Sequence, residues 1–460
     1  MVEVPDLEVD HPPHQNAGFA VVSRHHEQFF LGERHEILLV YYFLIGPLIS
    51  CPSILWIYLE GNHGHIASSQ FFVLLNLLKL SPTSRYFIMI PMRFSPKFIK
   101  FLLPSCTTFL LGFVYLLGYF WLPFVFLGAF CILVERLPDV GDGPLSDVGK
   151  WSRVPLVLNI LALGFHLVLA FWVLGEAEAT LFEMVGLIMS LATIISSIGG
   201  VTAHELIHYS NPLAKRVGNI LCGLSFDLFF MPVGHTRLHH SFVGTLKDPA
   251  TPLRGEGFWR FAFRCHSIGF KACWSMERQR LTSKPFLKQL FYNRILMTTG
   301  VFVGFCSLFL LLAGIKGIVV YLMAALLARL LHDVVNYIQH YGLIRVPGTK
   351  VRLDHSWDYK SRIISGYTLN LNRQSHHHME SSLPYWALTD ENPRGVITLG
   401  FITSFFLSVV PFLWPIIMTR FIQQWDEQYA TVDELALRSL HTVNSFSVSH
   451  LGFLKKRRDS

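Results

Sequence analysis

Charge is scarce in this chain, and paired cysteines are missing altogether. Charged residues make up 15% of its 460 positions, against 52% hydrophobic, and Phe alone occurs 39 times. Soluble domains carry roughly 25% charge, so the two or three soluble domains that the length would allow give way to a polytopic membrane protein. The seven cysteines (Cys51, Cys106, Cys131, Cys222, Cys265, Cys273 and Cys306) contain no Cys-x-x-Cys pair. That excludes a built-in rubredoxin, zinc ribbon or iron–sulfur cluster. Nor does the net charge of +7 gather as a nucleic-acid groove would need. It lies in short segments flanking apolar runs, the pattern of cytosolic loops under the positive-inside rule. Residues 1–36 lack the charged-then-apolar layout of a signal peptide and read as a polar tail.

A membrane span needs about 20 apolar residues. Runs of that kind fall at 37–59, 101–134, 154–175, 181–203, 294–313 and 316–337. The run 101–134 is too long for one crossing, and Gly118 and Pro123 near its middle suggest a tight turn between two helices. The acidic "GEAEAT" joins 154–175 to 181–203, and little more than Gly314 joins the last two runs. The expected fold class is therefore an all-α polytopic membrane protein with six core transmembrane helices in three hairpins. Segment 37–59 could be an additional span, 66–80 and 217–233 could be re-entrant or interfacial, and 398–419 is long enough to cross but contains Pro411 and Pro415. The stretch 79–100 holds Lys79, Arg85, Arg93, Lys97 and Lys100 and no acid, which places it on the cytosolic side. Each hairpin returns to the side it left, so 135–153, 204–293 and the chain just after 337 should be cytosolic as well.

Histidines cluster at these same ends. "HELIH" puts His204 and His208 four apart, on one face of a helix, with Glu205 between them. "GHTRLHH" supplies His235 and His239, again four apart, and His240 about a quarter-turn away, enough to reach a second metal. His340 ends the sixth run, and "QSHHHM" contributes His376, His377 and His378, which cannot all face one point. A zinc protease needs His-Glu-x-x-His and one further ligand and has no use for eight or more histidines at four helix ends. Imidazole suits iron as well as zinc, and this number implies two metals.

With these motifs the sequence resembles the membrane-bound non-haem di-iron alkane 1-monooxygenase family, within the wider fatty acid desaturase and hydroxylase superfamily. The likeness runs from about residue 100 to 390. "TAHELIH", "GHTRLHHSFVGTLKDPATPLRGEGFW", "WSMERQRL", "NYIQHYGLIR" and "HSW" at 355–357 each fit a family motif, and the "HYG" box separates alkane hydroxylases from ordinary desaturases. The resemblance implies a cytosolic cap holding two irons through His204, His208, His235, His239, His240, His340, His377 and His378. Where the family's last box has its first histidine, this chain has Gln374; either Gln374 or His376 could replace that ligand. Gly234 and Gln339 stand where the family has Glu. Glu205, Asp248, Asp333 and Asn336 are candidates for orienting the ligands. The chain divides accordingly into a tail (1–36), an additional membrane or interfacial segment (37–100), a di-iron oxygenase core (101–390) and a membrane-associated C-terminal segment with a basic tail (391–460).

The activity so implied is O2-dependent hydroxylation of the terminal methyl of an alkane, alkyl or fatty-acyl chain. Desaturation or in-chain hydroxylation of a membrane lipid is the alternative, and metal transport a distant one. A transporter should place polar groups inside its spans, and here these are few (His166 and Asn159 are among them). An apolar long-chain substrate would enter from the membrane lipid. Without Cys ligands the chain must take electrons from a carrier: a rubredoxin-like protein, a ferredoxin or cytochrome b5. The basic residues Arg254, Arg260, Arg264, Lys271, Arg278, Arg280 and Lys284 could dock an acidic donor or anionic lipid. The closing "KKRRDS" fits either an endoplasmic-reticulum retrieval signal or a solvated cytosolic tail, which leaves endoplasmic reticulum and bacterial inner membrane both open.

Overall fold

The computed structural model describes residues 96–135, 145, 148–176, 179–389 and 395–443, and the backbone of 56–60, 69–76 and 87–94. The polar tail 1–36, the first part of the 37–59 run and the basic ending lie outside the described residues. Residues up to Pro96 and those from Lys97 onward form two compact units. In the first, β1 (Trp56–Glu60), β2 (Ser69–Asn76) and β3 (Phe87–Phe94) make an antiparallel sheet in that order, with Trp56 opposite Leu74 and Ser69 opposite Phe94. The backbone is thus extended where the sequence suggested a helical crossing ending at 59 and an interfacial run at 66–80. Short apolar runs rich in Ile, Phe and Val serve a strand as well as a helix.

The second unit is helical. Its helices are α1 (Leu103–Gly112), α2 (Leu122–Val134), α3 (Val154–Glu176), α4 (Leu181–Ile194), α5 (Val201–His208), α6 (Pro212–Leu224), α7 (Phe258–Leu281), α8 (Phe286–Tyr292), α9 (Arg294–His340), α10 (Arg362–Tyr367), α11 (Gln374–Met379), α12 (Phe401–Ser408), α13 (Leu413–Gln428) and α14 (Val432–Ala436). Among the described residues, three stretches are long and apolar enough to cross a membrane: Trp151–Gly175, Leu181–His208 and Arg294–His340. Local chemistry sets their starts. Thr180 and Glu183 form a capping box at α4, and the Asn211 and Asn293 side chains accept from the first free amides of α6 and α9.

Within α9 the backbone leaves helical geometry at Ala313 and Gly314, where Gly314 has φ 62°, a conformation glycine adopts without penalty. The Phe309 and Tyr321 rings then stack with centroids 4.7 Å apart. Twelve residues of straight helix would separate them by about 18 Å, so the chain folds back at this point. Farther on, 398–419 does not form one helix. It breaks at Phe412 (φ 65°) into α12 and α13, as Pro411 and Pro415 require. The buried Glu135 anchors α12 by accepting from the Ile402 amide (2.7 Å).

The polar groups inside the apolar helices tie helices together. Asn159 accepts from Ser105 Oγ (2.6 Å) and donates to Thr202 Oγ1 (3.1 Å), while His166 bonds the Thr108 carbonyl (2.8 Å). Each links neighbouring apolar helices, as polar side chains do in membranes, and neither belongs to the histidine groups described below.

Two buried carboxylates fasten segments outside these apolar helices. Burial pushes the Glu277 pKa up, but hydrogen bonds from Arg280 and Arg294 outweigh that and bring it to about 2. Glu434 is likewise held at about 2: its burial is outweighed by hydrogen bonds from His355 and Arg352. A carboxylate depressed in the folded state contributes stability that is complete above its unfolded value, near 4.5, and is lost as pH falls toward 2. Detergent-solubilised protein should therefore lose thermal stability progressively between those values, and Glu277→Gln should flatten that part of the profile. An acid profile identical in the variant would contradict this account.

Candidate metal centre

Two unusual helical turns shape the site. A π-helical turn at Ile195–Gly200 precedes α5, and a second π-helical segment spans Phe230–His239. Such turns bond i to i+5, and here the His240 amide bonds the His235 carbonyl. Residues five apart therefore come onto one face. His235 and His240 point together, and His239 points elsewhere. This corrects the expectation that His235 and His239 would share a face, which assumed α-helical spacing.

The structure brings the eight candidate histidines into two adjoining groups. His204, His208, His235, His240 and His377 form one, and His239, His340 and His378 form the other, with donor atoms in each group within 4.8 Å of one another. In the first group the Nε2 of His235 lies 2.9 Å from that of His204, 3.1 Å from that of His208 and 3.0 Å from that of His240, and His204 and His377 approach to 3.0 Å. A ring nitrogen either donates one proton or accepts, so Nε2 of His235 cannot satisfy three imidazoles at once. The spacing does fit a cation. Nitrogens about 2.1 Å from a metal and at right angles are about 3.0 Å apart.

In the second group His239 is held from behind. Its Nδ1 lies 2.8 Å from Asp248 Oδ2, which also accepts from Thr251 Oγ1 (2.7 Å), and its buried Nε2 has no hydrogen-bond partner among the described residues. A carboxylate behind an imidazole whose other nitrogen is free is the arrangement that orients a metal ligand. Gln374 joins this group: its amide nitrogen is placed 2.9 Å from His378 Nε2 and 3.3 Å from His340 Nε2, and its Oε1 is buried without a partner. Amide O and N exchange by a simple flip, which would turn the oxygen to the imidazoles. His376 faces away, its Nδ1 accepting from the Thr389 amide (2.9 Å).

Burial pushes the pKa values of His235, His240, His377 and His378 well below the ordinary imidazole value, and repulsion from neighbouring rings adds to this. At neutral pH these four rings are uncharged and keep a lone pair for a cation.

The remaining candidates occupy other places. Glu205 accepts from the Tyr385 amide (3.2 Å) and belongs to neither group. Asp333, nearly two turns before His340, pairs with Arg329 (2.8 Å) and His266 (2.6 Å). Asn336 lines a cavity of about 390 Å³ that reaches from His204, His235 and Gln374 to Phe124, Met189 and Phe405. Two departures from the family pattern have a local reason. A Cβ at Gly234 would lie 2.8 Å from Cys273 Sγ, so Glu does not fit there without movement. Gln339 donates to the Leu371 carbonyl (2.8 Å). Sequence reading noted His355 only within the "HSW" motif and passed over Glu434, Arg329 and Asp227; Glu434 meets His355 across 79 positions, a separation that no local spacing reveals.

The basic patch is smaller than its sequence suggested. Arg254 is bound to Asp426 through both terminal nitrogens (2.8 Å each), Arg264 pairs with Glu256 (2.7 Å) and Arg280 with Glu277 (2.6 Å). Arg260, Lys271, Arg278 and Lys284 are exposed.

Residues 181–397 match the fatty acid desaturase family model. The chain is 29% identical to alkane 1-monooxygenase from Pseudomonas putida over 299 residues, 62% of this chain and 73% of that one. It is 28% identical to alkane 1-monooxygenase 1 from Pseudomonas aeruginosa over 276 residues, 58% of this chain and 70% of the relative. It is also 25% identical to the xylene/toluene monooxygenase hydroxylase component XylM of Pseudomonas putida over 346 residues, 73% and 92% of the two chains. The chain is similar to alkane monooxygenases over 58–62% of its length. It is a membrane-bound monooxygenase, and the region that matches the desaturase model contains both histidine groups.

Metal binding should depend on the carboxylate behind His239. Asp248→Asn should weaken metal retention roughly 10–100-fold, read as metal per chain after dialysis against a chelator. Retention equal to wild type would show that Asp248 does not orient His239.

Proposed function

We propose that this enzyme hydroxylates the terminal methyl of an alkane, alkyl or fatty-acyl chain with O2, at two iron ions held by its histidines. His204, His208, His235, His240 and His377 would hold one iron. His239, His340 and His378 would hold the other, with the Gln374 amide oxygen beside them. Bound there, the pair supplies O2 reduction with two electrons and two protons, one oxygen atom entering a C–H bond and the other leaving as water.

The observation that carries this reading is the continuity of a largely apolar cavity with the first group of imidazoles and with Gln374 beside the second. His204, His235 and Gln374 form part of its wall, and Phe124, Leu127, Met189 and Phe405 are among its apolar lining. A hydrocarbon gains by leaving water for such a cavity, and no charged partner is needed to hold it. The names of the relatives carry apolar substrates too: alkanes, and xylene or toluene. Six crossings, with the histidine groups on the cytosolic side, agree with the basic segment 79–100 and with the fold-back in α9. Among the described residues the buried Cys131, Cys222, Cys265 and Cys273 are unpaired, and the electrons come from an external carrier: a rubredoxin-like protein, a ferredoxin or cytochrome b5. The exposed Arg260, Lys271, Arg278 and Lys284 give an acidic carrier a place to dock.

The test is turnover under 18O2 with a series of linear alkanes and a reduced rubredoxin system. The expected product is a 1-alkanol labelled with one 18O, absent in His340→Ala. An alkene or an in-chain alcohol would favour the desaturase reading, and no oxygenated product with any of the three carriers would overturn the proposal. Met189 lies 15 residues before His204, about 22 Å along the helix, so Met189→Trp should shift the preferred alkane to shorter chains, read from product yields across the series. An unchanged length profile would remove the far end of the cavity from the binding path.

A further inference from the structure

The family match ends at residue 397, yet the chain beyond it reaches the second histidine group. Glu434 in α14 is buried, and its carboxylate accepts from His355 Nε2 (2.9 Å) and from both terminal nitrogens of Arg352 (3.0 Å each). Nδ1 of His355 accepts from the Arg352 amide (3.1 Å), so the ring donates through Nε2, aimed at Glu434. Asp354 takes two further bonds from Arg352 (3.0 Å each), and Trp425 of α13 donates to the Asp354 carbonyl (2.7 Å). Residues 352–355 are thus clamped by α13 and α14 together.

The same turn touches His340. Ser356 Oγ, on the residue after His355, lies 3.4 Å from His340 Nδ1. The Trp357 amide donates to the Gln339 carbonyl (2.8 Å). An oxygen that takes the Nδ1 proton fixes the tautomer and turns Nε2, with its lone pair, toward a cation.

We propose that Glu434 is a positioning residue for metal binding: by locking His355 and Arg352 it fixes the turn whose Ser356 hydroxyl meets His340 Nδ1, so the C-terminal segment is part of the second cation site. The inference rests on the two-metal reading above. The effect is selective. The first group is held by α5, the π-helical segment and α11, whereas His340 depends on the 352–357 turn. Glu434→Gln keeps the volume but leaves one of the donors facing an NH2 group.

The experiment is a cobalt(II) titration of the purified full chain in nanodiscs, wild type beside Glu434→Gln, Glu434→Asp and His378→Ala. Wild type should take up two cobalt ions. Glu434→Gln should weaken roughly tenfold the one site that His378→Ala removes and leave the other unchanged. Glu434→Asp, which keeps the charge on a shorter arm, should show a smaller loss at that same site. Two wild-type sites in both Glu434 variants, or equal weakening of both sites, would overturn the role of Glu434. Fewer than two sites in wild type would overturn the two-metal reading and this inference with it.

Discussion

Eight imidazoles, six buried and two half-buried, face one another, and among the described residues no carboxylate stands among their converging nitrogens. This is the constraint around which the rest of the molecule is organised. Burial and repulsion from neighbouring rings keep His235, His240, His377 and His378 uncharged at neutral pH, with lone pairs to offer a cation. A buried polar atom left without a partner costs about 1–3 kcal/mol, and His239 Nε2 has none among the described residues. Cations at the two centres would relieve both problems at once. The scaffold must therefore hold the rings in place against their own repulsion.

Long apolar helices provide that hold. α4 runs through a π turn into α5, and the close packing of His332 on Gly200 in that turn leaves no room for a side chain at 200. α9 folds back at Gly314 and ends at His340. Carboxylates then fasten the connecting segments from outside: Asp248 behind His239, Glu135 at the start of α12, and Glu277 between α7 and α9. The result is a charge-poor cavity with a polar end, a shape that suits a substrate with no group for a protein to grip except its bulk.

Much of this was legible in the sequence because its signals are local. Long apolar runs marked the helices, four-residue spacing put His204 and His208 on one face, and the motif set located the remaining histidines. What the sequence concealed follows from physics that it does not display. The π turn regroups His235 with His240, and the 3.6-residue periodicity used to read helices hides it. His376 looked equivalent to its neighbours until its bond to Thr389 turned it outward. Arg254, Arg264 and Arg280 read as a docking patch because their acidic partners are either distant in sequence, as Asp426 is, or nearby but unremarkable, as Glu277 is. The strands at 56–94 were hidden because short apolar runs do not distinguish strand from helix.

The most direct test of the account is the metal content of the purified full chain, measured by elemental analysis beside a His204→Ala/His340→Ala variant. The account predicts two irons per chain in wild type and their loss in the variant, with the variant still folded. Zinc in place of iron, or a single iron that survives removal of His340, would contradict it.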